Sequence, residues 1–536
     1  MPRTHKNNSP TLTHDVDVVI VGGGLAGAWA AIGAARAGGS VALVDKGYLG
    51  TSGVMATAGV GHWWVPPDPG LRAAAIDSRY ERSEGLADKT WMARVLELTW
   101  ETVPSLKGLY AFPSDEEGGI LRYRTLRGPE YGRALRRLVK RSGVQVYDHA
   151  PALELLVDSG GTVAGVAGWL RQSQQAWRIR CGAVVLATGG TAFKSFLLGS
   201  HVDTGDGALM AAEAGAELSG MEFSGYYTPS PLHSTMTRSM SYLFGTYTDA
   251  DQNQISVEST SELVPTIAKA LLRGPVFAVL DRMPEDIRDT LTRIQPNLML
   301  GFDRQGIDPF RDRFEVTLRS EGTIRGTGGL RIAGDDCRTT VPGLFAAGDV
   351  ATRELVAGAT SGGGAQNSAW ALSSGIWAGQ AAVTCAQAAG ARRDHTVRPL
   401  GRAGLRPDRG GAAPDLAEIM ASVQSEMLPY DKNLFREGPT LQRSLAVLDE
   451  AWASVRQASP ETGIDRVEAR ETAAMVAMAR WCYRSALARE ESRGLHRRLD
   501  RPERRDELTH RLLVGGLDKV WTRPERAATP TAVGAR

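Results

Sequence analysis

The sequence predicts an α/β fold in which a parallel-sheet unit is split by an insertion and followed by a helical unit. Three observations predict it. A buried strand, a glycine turn, a helix of small residues and a second buried strand follow one another in DVVIVGGGLAGAWAAIGAARAGGSVALVDKG, from Asp17 onward. The glycine-rich texture gives way to interleaved aromatic and polar residues from about residue 221 to 325, then returns at GGLRIAGDDCRTTVPGLFAAGDV. From about residue 412 the chain carries long amphipathic stretches such as LQRSLAVLDEAWASVRQA and ETAAMVAMARWCYRSALARE.

A chain of 536 residues exceeds the size at which one hydrophobic core stops growing, so several packed units are expected. The boundaries read as a disordered lead over 1–14, a first nucleotide-fold part over 15–224, an insertion over 225–325, the second part over 326–392 and the helical unit over 410–526. Sixty-two basic residues against 60 acidic ones leave no global charge to attract nucleic acid or an anionic membrane, and the basic run from Arg122 to Arg141 reads as a solvated helix face. The four cysteines, Cys181, Cys337, Cys385 and Cys482, have no paired spacing. No metal site is expected, and an iron–sulfur centre would have to belong to another chain. The polar N-terminus has no apolar signal region, and no run is long enough to span a bilayer, so a cytoplasmic setting is expected.

Gly22, Gly24 and Gly27 form G-x-G-x-x-G between a strand and a helix, and Asp45 ends the next strand. Gly22 permits the tight turn, Gly24 lets backbone approach a pyrophosphate, and Gly27 lets the helix lie close to the strand. Gly23, Leu25 and Ala26 complete the turn whose N–H groups and helix dipole would face the phosphates, with Asp45 and then Lys46 at the ribose. FAD and NAD fit this unit equally well. Two later segments resolve the choice: VVLATGG, with Ala187, Thr188 and Gly189, and VPGLFAAGDV, with Gly348 and Asp349, resemble the other two signatures of glutathione-reductase-type FAD proteins. That resemblance puts Asp349 at the ribityl and phosphate end of the flavin.

The run DTGDGALMAAEAGAELSGMEF, which contains Asp206, GGLRI with TTVPGLFAAGDV, and the C-terminal ARE-ESRGLHRRLDRPERRDE together resemble the flavoprotein subunits of succinate dehydrogenase, fumarate reductase, L-aspartate oxidase and adenylylsulfate reductase. The resemblance spans nearly the whole chain. It implies a glutathione-reductase-type Rossmann FAD-binding domain, an inserted α+β capping domain and a C-terminal helical domain. It also adds Thr51, Ser52, Gly53, Gln366 and Ser368 to the expected cofactor contacts. Two departures bear on function. Gly53 stands at the position where relatives carry a histidine that can be joined to FAD, so the cofactor is expected to be non-covalent. The family's F-H-P-T run is replaced by Gly225, Tyr226, Tyr227, Thr228 and Pro229, and its H-G-A-N-R run by AGATSGGGAQNS, which removes the arginine that clamps a dicarboxylate.

The resemblance also supplies chamber candidates. His62 and Trp63 in GHWW either sit near the isoalloxazine or anchor a loop. Tyr226 and Tyr227 either donate to a developing anion or pack with a satisfied hydroxyl. Lys269 and Arg273 fall near the family's proton-donating arginine, or are solvated helix charges; Arg325 and His233 are weaker candidates, and Arg493 and His496 are expected to hold the helical domain to the FAD domain. The function expected is hydride transfer between a small organic substrate and flavin N5, succinate and fumarate being disfavoured. The alternatives are a flavoprotein that exchanges electrons with a ferredoxin-like partner and a non-catalytic flavin scaffold.

Overall fold

The computed structural model describes residues 12–114, 121, 123–235, 240–294, 296–390, 396–407, 414–460 and 463–525. At its centre lies a five-stranded sheet in the order Leu344–Ala346, Ala183–Leu186, Val18–Val21, Val41–Val44 and Gln145–Tyr147, with every pairing parallel. Val18–Val21, Val41–Val44 and Ala183–Leu186 are buried at every residue, the pattern of uninterrupted aliphatic runs that a sheet covered on both faces demands. Val184 pairs with Leu344. The segments before and after the insertion therefore share one sheet, and the long helix Gly363–Ala389 packs along Leu25–Arg36 to close the unit.

A second sheet runs in the order Leu12–Asp15, Gln175–Arg180, Val163–Leu170, Ala152–Val157 and Arg398–Pro399. Leu12–Asp15 corrects the expected disordered lead over 1–14. It runs parallel to Gln175–Arg180, and Asp15 pairs with Arg180 at 2.7 Å, so ladder bonds and an ion pair order the chain from Leu12; the rest of the lead lies outside the described residues.

The insertion folds around an antiparallel sheet of its own, in the order Tyr227–Pro231, Phe314–Ser320, Val276–Val279 and Thr246–Thr248. Helices Leu263–Leu271, Glu285–Ile294 and Pro296–Asp303 accompany it, and Tyr227, Tyr242, Tyr247, Ile267 and Val316 form a separate core that Leu434 and Phe435 of the C-terminal region join.

Helices Leu416–Met427, Gly438–Val455 and Gly463–Ala488 make up the helical unit. The expectation of helix to residue 526 is corrected at its end. Leu512–Gly515 and Trp521–Pro524 form a hairpin whose first strand pairs with Leu218–Ser219, which in turn pairs with Gly329–Leu330. The run LLVG is buried at every residue and followed by a glycine turn, which suits a strand and not a helix. Buried polar contacts complete the junction: Arg489 pairs with Glu222 at 2.7 Å, Arg493 pairs with Glu491 at 2.7 Å, and Arg436 Nη1 hydrogen-bonds His496 Nδ1 at 2.9 Å.

Candidate active site

The glycine turn separates two reasons for being glycine. Gly22 has φ +107°, and a Cβ there would lie 2.3 Å from the Ala187 carbonyl oxygen; a Cβ on Gly27 would lie 1.8 Å from the Gly22 carbonyl oxygen. Both keep the chain's own backbone close. A Cβ on Gly24 would meet nothing within 4 Å, because Gly24 faces a cavity. That cavity, of about 880 Å³, runs from the glycine turn to the insertion and lies near the top of the usual range for ligand pockets, roughly 300–1,000 Å³.

Gly22, Gly23, Gly24, Leu25, Ala26, Asp45, Lys46, Ser52 and Gly53 border it. So do Ala187, Thr188, Gly189, Asp206, Gly348, Asp349 and Ser368. Asp45 accepts from the backbone N–H of Gly23 and from Gly47 N–H and Ser52 Oγ, each of the last two at 2.8 Å, which leaves lone-pair capacity for a ribose hydroxyl. Lys46 pairs with Asp206, and its Nζ reaches Thr204 Oγ1 at 2.8 Å and Glu471 at 3.1 Å. Burial works against its charge, but Asp206 and Glu471 outweigh burial and raise it above the ordinary lysine value. The expected contacts Gly27, Thr51 and Gln366 do not border the cavity: Gly27 packs on Gly22, and the exposed Thr51 donates its hydroxyl to the Tyr48 carbonyl at 3.1 Å.

Polar atoms along this cavity point to a ligand. Thr188 Oγ1 and both side-chain amide atoms of Asn367 are buried and have no protein partner, and both residues line the cavity. Asn367 was not anticipated from sequence. The open face of Gly24, the turn's N–H groups and these orphaned donors and acceptors fit FAD.

At the other end, the insertion supplies the wall. Tyr226 and Arg325 both border the cavity, and Arg325 Nη2 donates to the Tyr226 hydroxyl at 3.2 Å. Arg325 is half-buried, and its Nε is shielded and unpartnered. Burial disfavours its charge, but Tyr226, Glu321 and Asp349 together hold its titration above the ordinary arginine value. Arg353, fully buried, fixes the turn that carries Arg325. Its guanidinium pairs with Asp349 and donates to the carbonyls of Thr323 at 2.8 Å, Ile324 at 3.0 Å and Gly326. A single arginine in the small-residue run AAGDVATRELVAGA is the signal that could have revealed it.

Three expected chemical residues lie away from the cavity, and a fourth borders it with its hydroxyl committed to another partner. Tyr227 borders the cavity, but its ring lies in the insertion's core and its hydroxyl donates to the Leu428 carbonyl at 3.0 Å. Lys269 and Arg273 are exposed and away from the cavity, with Lys269 Nζ 5.9 Å from the Phe435 ring centre. They are helix-surface charges. His62 is buried behind the cavity wall, its Nε2 3.4 Å from the Tyr131 hydroxyl, and burial pushes its titration down to about 3, so it is neutral at physiological pH. The neighbouring Trp63 N–H donates to the Ala365 carbonyl at 3.1 Å, which makes HWW an anchor between two segments of the wall.

Comparison with known proteins agrees with this arrangement. A family model described as an FAD binding domain matches residues 17–366, and one described as the fumarate reductase flavoprotein C-terminus matches residues 425–523. An L-aspartate oxidase of Streptomyces coelicolor is 28% identical, covering 97% of this chain and 95% of its own. A fumarate reductase flavoprotein subunit of Mycobacterium tuberculosis is 29% identical over 70% of this chain and 71% of its own. Among solved structures, a mutant FrdA of E. coli quinol fumarate reductase superposes with TM-score 0.80 at 22% identity, covering 98% of this chain and 99% of that one. Adenylylsulfate reductase from Archaeoglobus fulgidus gives 0.78 at 18% identity, over 98% and 97%. The chain is an FAD-dependent oxidoreductase and belongs to the succinate dehydrogenase and fumarate reductase flavoprotein family.

Proposed function

We propose that this protein moves a hydride between a carbon or nitrogen of a small organic substrate and non-covalently bound FAD, and that succinate, fumarate and L-aspartate are not its substrates. FAD supplies the hydride acceptor or donor, at N5, when bound. The pair Arg325 and Tyr226 carries the reading. Because the guanidinium donates to the phenol oxygen, the phenol keeps its own O–H to offer a substrate oxygen, and the cation beside it stabilises charge that develops there. Arg353 acts through the backbone, holding residues 323–326 so that Arg325 faces the cavity. The insertion walls one end of the cavity and narrows the access of water to the transfer. Loss of the family's clamp arginine from AGATSGGGAQNS supports the exclusion of dicarboxylates.

The decisive experiment is anaerobic titration of the purified flavoprotein. Millimolar succinate or L-aspartate should leave the flavin spectrum unchanged, and fumarate should not reoxidise the reduced protein. Rapid bleaching or reoxidation by these acids sinks the proposal. Acid precipitation should release all flavin into the supernatant, because Gly53 has no imidazole to bond it; yellow protein in the pellet contradicts the non-covalent assignment. A second reading, electron exchange with a ferredoxin-like partner, draws support from relatives whose names mark them as one component of a larger assembly, such as the fumarate reductase flavoprotein subunit of Mycobacterium tuberculosis. Reduction of the flavin by a reduced ferredoxin, faster than by any organic donor, would favour it.

A further inference from the structure

We propose that the substrate is an apolar molecule with one neutral carbonyl, the carbonyl oxygen held by Arg325 and Tyr226 and the hydrocarbon body lying against the insertion. This names the substrate class of the site just described and rests on that reading.

Two observations carry it. The first is the wall. Beyond Tyr226 and Arg325, the insertion lines the cavity mainly with hydrocarbon from Tyr242, Leu243, Phe244, Leu263, Val264 and Leu291. Ile287, one helical turn before Leu291, joins them, and Leu243 and Ile287 are also 37% and 36% exposed, so the mouth of the chamber is apolar as well. A small diacid would leave this surface wet and unpaired, whereas a hydrocarbon body covers it.

The second is the charge balance around the anchor. Glu321 and Asp349 both act on the charge of Arg325 and favour it. Arg353, paired with Asp349, adds a second cation. Two cations thus face two carboxylates before any ligand arrives. An anionic ligand would bring uncompensated charge into a half-buried site, which is costly. A neutral carbonyl brings none. It also accepts the O–H that Tyr226 retains while Arg325 Nη2 donates to its oxygen.

The test measures ligand binding by the FAD-loaded protein, by calorimetry and by perturbation of the flavin spectrum. The probes are matched pairs on one carbon skeleton: cyclohexanone with cyclohexanecarboxylate, 2-decalone with decalin-2-carboxylate, and straight-chain 2-ketones with the corresponding acids. Ketones should outbind their acids, and affinity should rise with each added methylene, by up to about fourfold, until the chamber is full. Arg325→Met should weaken ketone binding roughly 10- to 100-fold. Leu263→Asp should weaken the larger ketones selectively while FAD stays bound. Arg325→Lys serves as a second variant where Arg325→Met does not fold; its weaker geometry should still cost ketone affinity. Acids that outbind ketones, or affinity that does not change with carbon number, overturn the substrate class and leave the flavoenzyme reading intact. Wild-type protein that holds no FAD removes both.

Discussion

The two ends of the cavity are built on different principles. The nucleotide end is made of backbone: Gly22, Gly23, Gly24 and the N-terminus of Leu25–Arg36 lie consecutively in the chain, and Asp45 holds the turn through the Gly23 N–H. The substrate end is made of side chains brought together from far apart, with Tyr226, Leu263, Ile287 and Arg325 from the insertion and Arg353 from beyond it. Backbone cradles need glycine at fixed spacing, so spacing identifies them. Side-chain chambers need only the right surface in the right place, which many sequences supply.

The largest effects should come from the backbone end and should split in two. Gly27→Val forces a side chain into the Gly22 carbonyl and should cost about 3 kcal/mol or more, seen as loss of soluble folded protein or a large drop in melting temperature. In Gly24→Val the new Cβ meets no protein atom within 4 Å, and Gly24 has φ −73°, open to any residue. Its flavin-free melting temperature should match that of flavin-free wild type, while FAD content falls by more than about tenfold. Equal destabilisation by both variants would show that Gly24 serves the fold and not a ligand.

Arg353→Met comes next and probes the seam between the two ends. It breaks a buried pair with Asp349 and orphans three carbonyls in the turn that carries Arg325, at a cost of about 3 kcal/mol in denaturant titration. FAD should still bind through the distant glycine turn, while substrate-dependent flavin reduction falls steeply. Full retention of turnover would show that Arg325 does not need the turn held.

The split between backbone and side chain also accounts for what the sequence disclosed. The Rossmann unit and the break at the insertion follow from glycine spacing or from a change in texture, both of which are local. The terminal hairpin went unread because Leu512–Gly515 finds its partner at Leu218–Ser219, almost three hundred residues earlier. In the chamber, burial decided roles that residue type could not. Lys269 and Arg273 have the chemistry for proton donation but lie exposed on a helix, whereas Arg325, a weaker candidate by sequence, faces the cavity. Arg353 carried no motif at all.

A smaller effect should separate the adjacent tyrosines. Tyr226→Phe removes the hydroxyl that Arg325 orients and should slow flavin reduction by the true substrate about 100-fold with FAD retained. An unchanged rate would return Tyr226 to packing and leave Arg325 as the sole anchor.

The smallest effects are expected at Tyr227 and Lys269, where residue type and placement disagree most. The Tyr227 hydroxyl is committed to the Leu428 carbonyl, and its ring packs edge-on against Tyr430 with centroids 6.0 Å apart. Burial raises its phenol above the ordinary tyrosine value, which makes it a poor proton shuttle near neutral pH. Tyr227→Phe keeps the ring and loses one hydrogen bond, so stability should fall by about 1 kcal/mol and the rate of flavin reduction should stay within about twofold. Lys269→Met trades a weak, exposed contact with the Phe435 ring for a hydrophobic one and should leave both rate and stability nearly unchanged. Stopped-flow reduction and thermal melts of the two variants distinguish the roles. A rate loss of tenfold or more in Tyr227→Phe at near-normal stability would mean that its hydroxyl leaves Leu428 during the reaction, and the substrate end would then have to be redrawn around both tyrosines.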